Sequence, residues 1–217
     1  MVESDLHTKS AARLVLVLAV GLALALFSPR WVGPWAQSAD EAAADRTLGT
    51  WQVASVAGTV RYRTSPDPEA AWTDMVPGDV LTAPVWIVSE PDGAAELVAN
   101  ENRILVSANT LFSIPAINRE RPVTRILQTF GTMFFNVFRR PNRHFEVQTP
   151  FLIAGVKGTT LGVSVDATTA EVSVTEGTVG VTGTAGAGEG QSADVSAGQT
   201  ATASAAPDAG VSVGATP

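Results

Sequence analysis

Residues 149–165 read TPFLIAGVKGTTLGVSV and combine the signals that decide the fold of this chain. Thr149-Pro150 ends one strand, because proline has no amide N–H with which to continue a hydrogen-bonded ladder. The small residue Gly155 permits a close backbone passage. Gly158 then begins an alternating run with four residues on one face: Thr159, Leu161, Val163 and Val165. The stretch therefore predicts a strand-to-strand crossover that leads into a half-buried strand.

The same stretch holds a lysine between two glycines, followed by two threonines, which raises the alternative of a phosphate-binding loop. A Walker A loop needs Gly, four residues and then Gly-Lys-Ser/Thr at the start of a helix. Here Lys157 precedes Gly158, and the residues that follow alternate as in a strand. The spacing argues against a nucleotide site. The role of Lys157 stays open between pairing with a carboxylate and facing a partner.

The alternation extends on both sides of this stretch. Phe145 and Val147 point one way while Glu146 and Gln148 point the other, and two pairs of valines follow downstream: Val172 and Val174, then Val179 and Val181. Asp166-Ala167-Thr168 and Glu176-Gly177 are predicted to be hairpin turns. Upstream, short β-branched runs alternate with turn sequences, and residues 123–138 form a longer strand with Gly131 at its centre.

These patterns predict an all-β fold of consecutive antiparallel hairpins in a β-roll, solenoid-like or sandwich arrangement, preceded by one N-terminal hydrophobic helix. The composition agrees, since 45% of the 217 residues are hydrophobic and only 16% are charged. The sequence contains no cysteine, which excludes disulfides, thiolate metal ligands and cysteine nucleophiles. His144 is the one histidine beyond the leader and has no catalytic motif around it, so we predict no enzyme activity, no metal site and no cofactor.

The first 27 residues have the pattern of an export signal. Lys9 and Arg13 precede an apolar run from Leu14 to Phe27. The run is short for a membrane span, yet the best cleavage site, Ala36-Gln37-Ser38, lies far beyond it, and tryptophans nearby suit a membrane interface. A cleaved signal peptide and a retained anchor both remain open for residues 1–27. Residues 28–49 are predicted to be a linker, and the domain to be periplasmic or attached to the cell envelope.

The predicted exported part is acidic. The chain has 14 Lys and Arg, three of them in the first 39 residues, and 21 Asp and Glu, two of them there. The remainder carries a formal net charge of −8 (11 − 19), which argues against nucleic acid as a partner.

One segment reverses this charge. Between residues 119 and 143 there is a single acid, Glu120, and six arginines: Arg119, Arg121, Arg125, Arg139, Arg140 and Arg143. Phenylalanines and a methionine are interleaved with them. The segment is a candidate contact surface for an anionic partner, which could be an acidic protein face, an envelope polymer or lipid headgroups. The alternative is that the arginines lie on solvated loops beside a core strand.

The opening stretch and its surroundings resemble the FecR domain family. FEVQTPFLIAGVKGTTLGVSV followed by AEVSVTEGTVGV is similar to the family's signature half, and the resemblance covers roughly residues 51–204. The matching motif residues are Thr149, Pro150, Val156, Lys157, Gly158, Thr159, Glu176 and Gly177. Lys157 stands where the family usually has arginine, so it would keep the charge without the forked geometry.

The resemblance implies a non-enzymatic binding or sensing module in envelope signalling. Well-known members carry a cytoplasmic sigma-factor-binding domain before their membrane segment, whereas only thirteen residues precede the apolar run here, which argues against direct anti-sigma activity. We expect a FecR-like domain over residues 50–204 that contacts an envelope protein, and a disordered tail over 205–217. The alternatives are a structural or glycan-associated envelope protein and a hydrolase.

Overall fold

The computed structural model describes residues 49–118, 120, 122–206 and 210–216. The predicted leader (1–27) and nearly all of the predicted linker (28–49) lie outside these residues. In the part of the chain that is described, no helix is long and apolar enough to span a membrane.

The described residues form 17 β-strands and one short 3₁₀ turn at Gly186–Gly188. In chain order the strands are β1 (Thr50–Ala57), β2 (Val60–Arg63), β3 (Thr73–Asp74), β4 (Val80–Thr82), β5 (Val85–Ser89), β6 (Ala94–Ala99), β7 (Asn102–Val106), β8 (Thr110–Ile114), β9 (Thr124–Asn136), β10 (Phe145–Gln148), β11 (Leu152–Val156), β12 (Thr160–Val165), β13 (Thr169–Glu176), β14 (Thr178–Gly183), β15 (Ser192–Ser196), β16 (Gln199–Ser204) and β17 (Ser212–Ala215). The predicted all-β class is confirmed.

The strand pairings form two runs that meet in β9. The first run is β4-β1-β6-β7-β9-β12-β13-β16-β17. The second run is β3-β2-β5-β8-β9-β10-β11-β14-β15. Every pair is antiparallel except β9 with β10, which is parallel. The sheet is therefore open and mixed, and only in part a series of hairpins.

Strand β9 belongs to both runs because it bends at Gly131. Its first half pairs with β8 and β10, and its second half pairs with β7 and β12. Gly131 has φ +93°, and a Cβ at this position would collide with the backbone of Thr110. The buried side chain of Gln128 donates to the carbonyl oxygens of Gly131 (2.8 Å) and Val163 (3.2 Å), which holds the bend in place. The predicted long strand around Gly131 is confirmed.

Residues from both runs share one hydrophobic core. The ring of Phe145, from the second run, makes edge contacts with Phe135 and Trp51, both from the first run. The ring centroids are 5.8 Å apart for Phe135 and 6.5 Å apart for Trp51. All three side chains are about 1% exposed or less, and buried aromatic pairs of this geometry are worth about 1 kcal/mol beyond their burial.

The predicted faces of the downstream strands are confirmed. Phe145, Val147 and the two valine pairs are buried, as are all four residues that share a face in the opening stretch. The Asp166 turn also joins two paired strands, β12 and β13, as predicted.

Two local predictions within the signature region are wrong. Leu152–Val156 is strand β11, paired with β10 and β14, and not simply a crossover of small residues. Glu176-Gly177 is not a hairpin turn, because β13 pairs with β12 and β16 while β14 pairs with β11 and β15. Gly177 is instead a crossover between the two runs. Both errors arise because a strand's partners depend on distant segments that local alternation does not specify.

The predicted disordered tail is wrong for four residues. Ser212–Ala215 form β17, which pairs antiparallel with β16 although all four residues are exposed. The absence of core-forming side chains did not prevent pairing, because the edge of β16 offers unpaired backbone groups. The hydroxyls of Thr200 and Thr216 also lie 3.0 Å apart.

Asp166 closes the β12–β13 turn, and its replacement by alanine should lower the thermal unfolding midpoint. Its carboxylate accepts hydrogen bonds from the amides of Thr168 and Thr169, both at 2.7 Å, and from both threonine hydroxyls. These bonds, led by the Thr168 amide, lower the pKa of Asp166 from 3.8 to about 2. Because the folded-state pKa is depressed, the stabilisation is complete above pH 3.8 and is lost as the pH falls through about 2.

Thermal melts of the wild type and Asp166→Ala at pH 7 and at pH 2 test this. The difference between them should be present at pH 7 and should shrink at pH 2. Asp74→Ala, which removes an exposed carboxylate from β3, serves as the matched control and should have little effect. A difference that is the same at both pH values would contradict the assignment.

Candidate functional site

The Thr149-Pro150 motif builds the tight turn between β10 and β11. Thr149 is 4% exposed. Its hydroxyl oxygen accepts hydrogen bonds from the amides of Phe151 (3.2 Å) and Leu152 (3.0 Å), and the hydroxyl donates to the carbonyl of Leu152 at 3.0 Å. Pro150 ends the ladder of β10, as predicted, and its carbonyl accepts the hydroxyl of Thr184 at 3.2 Å. These two residues therefore have a local structural role.

The other motif residues lie where the chain crosses from β11 to β12. Val156 ends β11 and is fully buried, Lys157 is exposed, and Thr159 is 4% exposed. The segment that follows β9 runs beside them, since the amide of Val137 donates to the carbonyl of Thr159 (3.0 Å) and that of Arg140 donates to the carbonyl of Lys157 (2.7 Å). The motif thereby anchors the arginine-rich segment by its backbone.

Two motif glycines allow these segments to approach. A Cβ at Gly158 would collide with Arg139, whose backbone passes over it. Gly177 has φ +87°, and a Cβ there would lie 2.5 Å from Cγ2 of Thr159 and 2.9 Å from the carbonyl oxygen of Gly158. The β11–β12 and β13–β14 crossovers thus lie side by side, with residues 137–140 against them. Glu176 precedes Gly177 and is exposed at the end of β13.

A cavity of about 700 Å³ lies where these segments meet, and we call it the basic pocket. Its lining residues are Arg139, Arg140, Pro141, Lys157, Gly158, Gly177 and Thr178. Three of the seven are cationic and none is acidic. Among the described residues, no carboxylate forms an ion pair with these three side chains. For Lys157, the structure thus favours facing outward over pairing with a carboxylate.

Arg143 does not line the basic pocket and lies over β11 and β14. Its guanidinium covers Gly155, where a Cβ would collide with it, and extends towards Gly180. A close backbone passage is predicted at Gly155, but the group that passes there is the side chain of Arg143. Arg143 has no ion pair within the described part of the chain. A Cβ at Gly180 would lie 3.5 Å from Nη2 of Arg143 and 3.6 Å from Oδ1 of Asp194, the cross-strand partner of Gly180.

The other described arginine of the predicted surface, Arg125, is already paired. Arg125 is in an ion pair with Glu146, with Nε and Oε1 3.0 Å apart. Arg119 and Arg121 lie outside the described residues. Among the described residues, the arginines of the predicted surface that are exposed and have no ion pair are Arg139, Arg140 and Arg143.

The apolar residues interleaved with the arginines also divide. Met133 and Phe135 are buried, whereas Phe130, Phe134 and Phe138 are 45–50% exposed. Phe134 packs over Gly162 and lies opposite Leu105 in the neighbouring strand. These aromatics are spread along β9 and its end, and none of them lines the basic pocket.

His144 has no catalytic partner in the described structure. Burial lowers the pKa of its imidazole, a hydrogen bond with the carbonyl of Asn142 opposes this, and the charge of Arg140 lowers it further. The described residues also hold no group of three His, Asp, Glu or Cys side chains that could bind a metal ion.

Part of the chain matches a known protein family. Residues 86–180 match the FecR family model, described as FecR protein. The resemblance inferred from the signature motifs is confirmed over this region, which contains most of β5, all of β6 to β13, the β9–β10 connection and both crossovers. A search of curated proteins found no match.

Two solved structures resemble parts of the chain. They are crystal structures, at 2.50 Å and 1.65 Å resolution, of a candidate anti-sigma factor from Parabacteroides distasonis ATCC 8503. Each is 16% identical in sequence, with a TM-score of 0.48. The alignments cover 59% of this chain and 57% of those chains, so the match spans little more than half of each protein.

Sequence reasoning located the cationic residues of the basic pocket but did not place them together. Arg139 and Arg140 belong to the predicted contact surface, whereas Lys157 belongs to the FecR-like motif, 17 residues further along the chain. Thr178 was missed altogether. The FecR-like spacing of the Lys157 and Gly177 motifs was the only available signal, and it does not show that residues 139–141 return to them.

Gly177→Ala should destabilise the fold more than Gly198→Ala. Both glycines have similar positive φ angles, +87° and +79°, so alanine costs about 1–2 kcal/mol of backbone strain at either position. A Cβ at Gly198 meets nothing within 4 Å, whereas one at Gly177 meets Thr159. Overpacking should add about 1–3 kcal/mol at Gly177. Equilibrium urea unfolding measures both variants, and equal losses would contradict the packing of the two crossovers.

Proposed function

We propose that this chain is an exported, non-enzymatic FecR-like binding and sensing module that contacts a protein partner in the cell envelope. The observation that carries the proposal is the set of three exposed arginines, Arg139, Arg140 and Arg143, for which no ion pair is present among the described residues. The signature crossovers hold the backbone of this segment in place.

Exposed arginines without an ion pair are suited to a contact surface. Elsewhere on the domain, Arg61, Arg103 and Arg125 are each paired with a glutamate. Three unpaired arginines on an otherwise acidic chain create a local positive field that attracts an acidic protein face. Their planar guanidinium groups can also bind carboxylates through two hydrogen bonds at once.

The FecR match supports this reading, because it covers the arginine segment and the crossovers that support it. The resemblance implies envelope signalling and regulation without catalysis. Whether the chain acts in a sigma-factor pathway forms no part of the proposal.

Neutralising the three arginines should abolish partner contact. In intact cells, the Arg139→Gln, Arg140→Gln, Arg143→Gln triple variant should lose a crosslinked species that the wild type forms reproducibly. Arg103→Gln is the matched control, because it removes an arginine of β7 that is already paired with Glu96 of β6. A crosslinked species that survives the triple variant, or the absence of any reproducible species with the wild type, would count against the proposal.

Export forms part of the proposal and rests on the sequence of residues 1–27. Cell fractionation should place the protein in the periplasmic or membrane fraction, and N-terminal sequencing of the same sample should distinguish a cleaved signal from a retained anchor. Recovery in the cytoplasmic fraction would contradict export.

The same arginines also favour a second candidate, a structural protein associated with an anionic envelope polymer. Binding to purified cell-wall material that falls steeply between low and physiological salt would support this candidate, because exposed charges are screened within about 8 Å at 0.15 M salt. A protein contact with a desolvated core should weaken less.

A further inference from the structure

We propose that the basic pocket binds a phosphate group carried by a small molecule or a lipid headgroup. This goes beyond protein contact, because it gives the module a ligand of its own. The pocket is the place where the arginine segment and the FecR-like crossovers meet, and neither feature forms it alone.

The charge of the pocket is the first argument. Arg139, Arg140 and Lys157 contribute three formal positive charges, and none of the described residues that line the cavity is acidic. The chain as a whole has a formal net charge of −7, so this concentration is a local reversal. An anion that enters it gains attraction from three cations that are not already neutralised by ion pairs among the described residues.

The arrangement of the cations is the second argument, and it favours phosphate over carboxylate. A single arginine can satisfy both oxygens of a carboxylate through two parallel hydrogen bonds. Three separate cationic groups suit an anion with more oxygens and a charge near −2, which phosphate provides at pH 7. Two arginine forks and a lysine point charge are the side chains that proteins use for phosphate.

The pocket's size and surface provide the third argument. Its volume of about 700 Å³ exceeds that of a single phosphate and falls within the range of small-molecule sites. Gly158 and Gly177 line it with backbone, and Thr178 adds a residue with a hydroxyl. The exposed phenylalanines lie elsewhere, so the site offers polar groups to an anionic head rather than an apolar cleft.

Glycine-selective ¹⁵N labelling of the full-length protein in a non-ionic detergent tests the proposal directly. The chain has 19 glycines, so the spectrum is simple, and triple-resonance experiments on the uniformly labelled wild type assign each signal. Titration with pyrophosphate should shift the amide signals of Gly158 and Gly177. Gly190 and Gly198 lie outside the pocket and should not move.

Three variants link these shifts to the pocket. Lys157→Gln should weaken pyrophosphate binding about tenfold, as expected for the loss of one charged hydrogen bond, and Arg139→Gln with Arg140→Gln should weaken it further. Arg103→Gln should leave the affinity unchanged. The other glycine signals report whether each variant keeps its fold, so loss of binding can be distinguished from unfolding.

Several results would overturn the proposal. These are an absence of shifts at Gly158 and Gly177, shifts that persist in the Lys157 and double-arginine variants, and an equal response to succinate, a dicarboxylate. Flotation with vesicles that contain phosphatidic acid, whose headgroup is a phosphomonoester, then identifies the source of the phosphate. Flotation of the wild type that is lost in Lys157→Gln indicates a lipid headgroup. Pyrophosphate binding without flotation indicates a soluble ligand.

These outcomes are independent of the protein-contact proposal. Pyrophosphate binding without an arginine-dependent crosslink would leave the ligand site standing and remove the partner. A crosslink that depends on the three arginines, without pyrophosphate binding, would support the protein partner and remove the ligand site.

Discussion

The structure depends on the backbone pairing of β9 with four other strands. Its two halves complete different runs of the sheet, and the bend between them requires the positive φ of Gly131 and the buried hydrogen bonds of Gln128. Because both runs meet in this strand, the core residues Phe135 and Phe145 come into contact from opposite runs. A side chain at Gly131 would disturb this junction and with it the register of both runs.

The same strand determines where the site lies. β10 returns parallel to β9, so the chain must cross back through residues 137–144 before it can pair. This connection carries three arginines past the β11–β12 and β13–β14 crossovers, and backbone hydrogen bonds to Lys157 and Thr159 hold it there. The glycines of the FecR-like motif are thereby explained by packing.

Sequence reasoning predicted the strand class, the buried faces and the long strand around Gly131, because side-chain alternation reports burial directly. It missed the strand character of Leu152–Val156 and took Gly177 for a hairpin turn. In both places the local pattern was compatible with more than one partner. It also predicted disorder for Ser212–Ala215, since backbone pairing at a sheet edge requires no apolar side chains.

The sequence by itself determined that the described domain is built of strands with one buried face, that Thr149-Pro150 ends a strand, and that positive charge concentrates near residues 119–143. These are local properties of spacing and composition. Only the tertiary structure decided which arginines remain unpaired, that Arg143 covers Gly155, and that Arg139 and Arg140 share a pocket with Lys157. The physical reason is that long-range strand pairing places these residues together, and no local pattern encodes which strands will pair.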